Sequence, residues 1–240
     1  MDTTRSLALA GACAAFVAVP NLGALLGEGE QTKRYDTAIT PPDYAFAVWA
    51  PIFATCVAST VGQCLPSGRG DAVSRRTGWP LAGAYAVNAA WSLAAQRDRF
   101  ALTPYLLPVA AALAATAHAR LQQAPPTSGL TAVTPVSTGL LLGWTTLASA
   151  VNVVAARDRN APRTTAAASA GLLTVAAAVA AGVARSRRGG LSIALGTGWG
   201  LGTLAGMRTR RPAVRLAAAL GAAAIGVADL AGRFSHGRRG

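Results

Sequence analysis

Uncharged, alanine-rich runs alternate with short polar clusters along the whole chain. Each run is about 20 residues long, the length a helix needs to cross a hydrocarbon core. Read this way, the sequence predicts helices near residues 7–26, 41–65, 79–96, 100–118, 135–156, 164–184, 189–207 and 213–232. The expected fold is an all-α, polytopic transmembrane helix bundle. The run at 7–26 follows Arg5; it is too long for a signal peptide and lacks a clear cleavage site, so it reads as the first membrane helix. Pro20 and Asn21 interrupt it, a kink a bilayer tolerates only where neighbours cover the freed backbone. The polar loop over 28–40 is followed by Thr40-Pro41-Pro42-Asp43. Thr40 as N-cap, Pro41 at the first helical position and Asp43 as the capping-box acid are expected to start the second helix there, with Pro51 bending it just past Trp49. In the seventh run Gly198, Gly202 and Gly206 recur every four residues, a spacing expected to admit another helix at close range. The last run holds Arg215 and Asp229, which need burial against protein or a place near the interface, so an interfacial helix is its alternative.

Composition supports the membrane assignment: 13% of the residues are charged, against about 25% in a soluble domain. Mean hydropathy is +0.38. A net charge of +13 raises nucleic acid as a partner. The arginines, however, stand in twos and threes at helix ends, not on one face with interleaved aromatics, so the expected partner is the lipid bilayer. Alternating spans divide Lys and Arg evenly between the two sides, which leaves orientation open. Cys13, Cys56 and Cys64 show no metal-ligand spacing and read as small apolar residues. His118 and His236 have no matching ligands or nucleophile nearby, so no hydrolase or metalloenzyme constellation, no metal and no cofactor is expected.

Three side-chain stripes carry the candidate chemistry. Phe46, Trp49 and Phe53 share a helical face, with Tyr44 beside them. In the third run Asn88, Trp91 and Ser92 share a face, and in the fifth Trp144, Ala148 and Asn152 are spaced by four. With alternating spans all three stripes fall in the same half of the bundle, Trp49 lying about 13 Å deep at ~1.5 Å per residue. A pocket lined by these residues is expected, roofed by the loop of Lys33 and Arg34 and rimmed by the Arg-Asp-Arg turns of Arg97 and Arg157. Indoles offer stacking area and arginines pair with carboxylates, which suits a flat apolar ligand with acidic edges. Each stripe has a second reading, in which the rings are packing and the amides tie helices together.

Pro41-Pro42, Phe46 and Val48-Trp49, then Asn88 with Trp91-Ser92, then Trp144 with Ala148 and Asn152, resemble the TspO/MBR family of tryptophan-rich sensory proteins over about residues 1–160. The resemblance implies a five-helix core over 1–160 and a C-terminal extension over 161–240 with two to three further spans and a basic tail. It also implies a plasma- or inner-membrane protein that binds porphyrin or a sterol-like ligand for sensing or transport, with a homodimer as an open option. Porphyrin breakdown through a pocket tryptophan, or a scaffold packed through small residues, are the alternatives. One departure is that Phe46 and Trp49 stand three apart, where the main family has four.

Overall fold

A computed structural model describes residues 2–26, 36–156 and 162–237. The regular structure of these residues is helical: α1 (Asp2–Leu25), a 3-10 turn pair (Asp43–Val48), α2 (Trp49–Cys64), the short α3 (Pro66–Arg69), α4 (Ala72–Gln96), α5 (Thr103–Gln122), α6 (Thr134–Ala155), α7 (Pro162–Arg185), α8 (Gly190–Gly206) and α9 (Pro212–Gly237). Six helical stretches are long and apolar enough to cross a membrane: Asp2–Leu25, Asp43–Cys64, Phe100–Gln122, Gly129–Ala155, Thr165–Arg185 and Pro212–Ser235. The protein is therefore a multi-pass, all-helical membrane protein.

The chain forms two compact units, one from residues 1–34 and 50–138, the other from 35–49 and 139–240. In the first, α1 packs on α4 and α4 on α5. α1 runs on through Pro20, and beside it the Gln96 amide donates to the Val19 carbonyl at 3.1 Å while the Gln96 side chain fills the place a Cβ at Gly23 would take. Several buried polar groups here bond one another, as apolar surroundings favour. The Ser59 and Thr134 hydroxyls are 2.9 Å apart, and the Gln63 amide donates to Ser59 at 3.2 Å. Arg5 is not a headgroup-facing arginine. Its side chain is 3% exposed, and it donates to the Asp2 carboxylate at 2.7 Å and to the Arg69 carbonyl at 2.6 Å.

The third long helix starts before residue 79, inside the charged stretch. α4 begins at Ala72 after Asp71, so Arg75 and Arg76 ride on its exposed side, Arg75 reaching the Asp2 carboxylate. Two arginines at one helix end are compatible with a helix because their heads reach water while the next turn is buried.

In the second unit α7, α8 and α9 pack on one another. The two charges of the last run are met by α8 and by α9 itself. Arg215 donates to the Ala205 carbonyl at 3.0 Å, and Asp229 pairs with Arg233 one turn on at 2.7 Å.

The start of the second span differs from the expected capping box. The Thr40 hydroxyl turns back to accept the Thr37 N–H at 2.9 Å and lies 2.8 Å from the Thr37 hydroxyl. The backbone is extended at Pro42, a 3-10 helix runs over Asp43–Val48 with no side-chain cap, and α-helix begins at Trp49. Adjacent prolines explain this, because neither donates an N–H and a residue preceding proline is disfavoured in the α region. Pro51 consequently sits in the first turn of α2, where its missing N–H costs no helical bond.

Candidate functional site

The 3-10 turns decide how the aromatic stretch presents its rings. At three residues per turn, side chains three apart eclipse, so the step from Phe46 to Trp49 puts both rings over the same line. Both meet Trp144 of α6. Phe46 and Trp144 have ring centroids 5.7 Å apart at 85°, and Trp49 and Trp144 6.2 Å apart at 82°. These edge-to-face contacts match the ring quadrupoles. Phe46 and Trp49 remain part-exposed, whereas Trp144 is 2% exposed.

Trp144 is seated from behind by α8. A Cβ at Gly200 would run into Leu147 Cδ2 and lie 3.0 Å from Trp144 Cζ3, so glycine at that position makes room for the leucine first and for the indole beside it. Along the same contact, a Cβ at Gly196 would meet the Leu140 carbonyl at 2.9 Å and one at Gly139 the Gly189 carbonyl at 2.6 Å, while one at Gly143 would run into the Ile193 carbonyl. The Thr197 hydroxyl donates to the Gly143 carbonyl at 2.7 Å across this glycine seam. The close approach predicted for Gly198, Gly202 and Gly206 is made by Gly196 and Gly200 instead; a Cβ at any of the first three meets nothing within 4 Å.

One polar atom of this ring group is unspent. The Trp144 indole N–H is buried and has no hydrogen-bond partner among the described residues. A buried donor without an acceptor carries an unrepaid desolvation cost, which an acceptor on a ligand would relieve. One and two turns along α6, Asn152 donates its amide to the Ala148 carbonyl at 2.9 Å. Tyr44 is 61% exposed and turns to the edge of Trp199, with centroids 6.5 Å apart.

Phe53, Asn88, Trp91, Ser92 and Arg97 belong to the first unit. Phe53 meets Phe16 edge-on at 5.0 Å, and Phe16 stacks on Tyr85 at 5.2 Å and 8°. Asn88 is 2% exposed and donates its amide to the Ala84 carbonyl of its own helix at 2.9 Å, leaving a buried Oδ1 without a partner. The amide of Asn88 therefore bonds within its own helix, not across to a neighbouring one. Trp91 and Ser92 are buried on α4. Arg97, at the C-cap of α4, is exposed. Lys33, Arg34 and Arg157 lie outside the described residues. Among the described residues no group of three His, Cys, Asp or Glu side chains converges as a metal site.

Sequence spacing missed Phe16, Tyr85, Trp199 and Gly200. Gly196 and Gly200 carry the same four-residue spacing as the row that was singled out, so spacing alone cannot choose between them. Phe16 and Tyr85 come from runs that show no aromatic stripe. A protein-family model described as TSPO-like protein matches residues 7–231. No curated protein and no solved structure matches the chain.

Proposed function

Because the chain belongs to the TSPO-like family of membrane ligand-binding proteins, we propose that Phe46, Trp49 and Trp144 form a ring cage for a planar hydrophobic ligand of the tetrapyrrole class. In this reading the protein senses or moves that ligand in the plasma or inner membrane. The observation that carries the reading is the Trp144 indole, held edge-on by two other rings with its buried N–H unspent. Flat rings supply stacking area with little conformational entropy to lose, and the free N–H supplies a directional contact for a carboxylate or carbonyl on the ligand edge.

Titration of the purified protein with protoporphyrin, followed by tryptophan fluorescence, tests it. Saturable quenching that is weakened in Trp49→Phe and in Trp144→Phe is expected. No saturation, or quenching indifferent to both substitutions, overturns it.

A further inference from the structure

Both walls of the ring cage are held by neighbouring residues of one helix. Gly200 of α8 seats Trp144, and the preceding residue, Trp199, donates its indole N–H to the Ala45 carbonyl at 2.8 Å, immediately before Phe46. The exposed Tyr44 ring lies edge-on against the same indole. The far end of the segment is held by the turn between α8 and α9. Arg210 makes two bonds to the Asp36 carboxylate, at 3.0 and 2.5 Å, and a third to the Thr40 carbonyl at 3.1 Å. Its side chain is 16% exposed, and the turn that carries it is closed by the Arg210 N–H donating to the Met207 carbonyl at 3.0 Å.

Between these two anchors the chain is stiff. The Thr37–Thr40 turn is closed in both directions, by the Thr37 N–H donating to the Thr40 hydroxyl and the Thr40 N–H to the Thr37 carbonyl at 3.2 Å. Pro41 and Pro42 follow with fixed φ. A bidentate guanidinium–carboxylate pair sets orientation as well as distance, and a stiff segment transmits that orientation to its other end. Two anchors therefore determine where Phe46 and Trp49 stand against Trp144.

We propose that Arg210 and Trp199 are positioning residues of the ring cage: together they hold residues 36–48 in the register that sets Phe46 and Trp49 on the edge of Trp144. Neither residue touches the ligand in this assignment, and its consequence for ligand release rests on the cage being the ligand site. Releasing either anchor lets the segment swing as a unit, so the cage loosens without unfolding of α8.

The test uses the full chain in detergent and two measurements that need no ligand. The first is amide hydrogen exchange over residues 37–48, with α9 amides as the control for folding. The second is the exciton signal in circular dichroism from the Trp49–Trp144 pair, identified by its loss in Trp49→Phe. In Arg210→Gln and in Trp199→Phe, exchange in this segment is expected to rise about tenfold, the factor equivalent to ~1.4 kcal/mol, with α9 protected and the exciton signal reduced. Arg210→Lys, which keeps the charge but not the fork, should fall between the two. Unchanged exchange in both variants, or faster exchange with an undiminished exciton signal, overturns the proposal.

Protoporphyrin release adds the functional reading, with dissociation about tenfold faster in Arg210→Gln. A parent protein that binds no protoporphyrin refutes the ligand assignment, while the two ligand-free measurements still decide the positioning role. A parent that binds, with release unaltered in variants whose cage has loosened, overturns the cage as the ligand site and leaves the positioning role standing.

Discussion

The buried atoms that lack a partner among the described residues include the Trp144 indole N–H and the Asn88 carbonyl oxygen. Replacing such a group separates fold from function. The Asn88 amide bonds to its own helix, worth about 1 kcal/mol, while burial of its open Oδ1 costs about 1–3 kcal/mol. Asn88→Leu is accordingly expected to leave thermal stability within ~1 kcal/mol of the parent or to raise it, as measured by unfolding in detergent; a loss of several kcal/mol would show that Oδ1 is satisfied in the ligand-free protein. For Trp144→Phe, ring contact is largely kept and the donor is lost, so protoporphyrin affinity should fall about tenfold, the worth of one well-placed hydrogen bond. The identities of these residues were legible in the sequence, because an amide and an indole stand out in alanine-rich runs. That their polar atoms would be unspent was not, since spacing says nothing about the partner across the interface.

At the scale of elements, α6 and α8 meet through glycines, and only some glycines of α8 take part. A methyl at Gly143 would be driven into the backbone carbonyl of Ile193, which cannot move without its helix, whereas Gly202 faces open space. Gly143→Ala should therefore destabilise by about 1–3 kcal/mol through overpacking. Gly202→Ala should be neutral or stabilising by up to ~1 kcal/mol through a less flexible unfolded chain. Equal effects in a thermal scan would contradict the seam. The start of the second span teaches the same lesson. Prolines 41 and 42 and the Thr40–Asp43 spacing allow both a capping box and an extended entry into a 3-10 helix. The Thr37–Thr40 turn and the anchors on Ala45 and Asp36 select the second. The three-residue step from Phe46 to Trp49, a departure from the main family pattern, then becomes the step that a 3-10 helix requires to align two rings.

For the whole molecule, the crossing number depends on α4 and α8. α4 has 25 residues but carries Arg75 and Arg76 near its start, and α8 has 17 residues. At ~1.5 Å per residue they are about 37 and 26 Å long, and both can bridge a core of roughly 30 Å with their flanking turns. Single cysteines placed at Gly70 and Asp98, in a chain whose native Cys13, Cys56 and Cys64 are replaced, should label with a membrane-impermeant reagent from opposite sides. So should cysteines at Arg187 and Arg208. Labelling of either pair from one side would remove that helix from the set of crossings and reverse the sidedness of everything after it.

The sequence by itself determined the class of molecule and the number and approximate place of its long helices. Hydropathy, proline position and charge at run ends are local properties, and a bilayer forces any long apolar run to satisfy its backbone as a helix. Only the tertiary structure decided which faces meet. Lipid is as apolar as leucine, so hydropathy does not mark the side of a membrane helix that faces protein. The choice of Gly196 and Gly200 over Gly198, Gly202 and Gly206 rests on shape. The bond from Arg210 to Asp36, 174 residues apart, rests on a fold that brings the α8–α9 turn to the start of the aromatic segment. No spacing rule reaches that far along a chain.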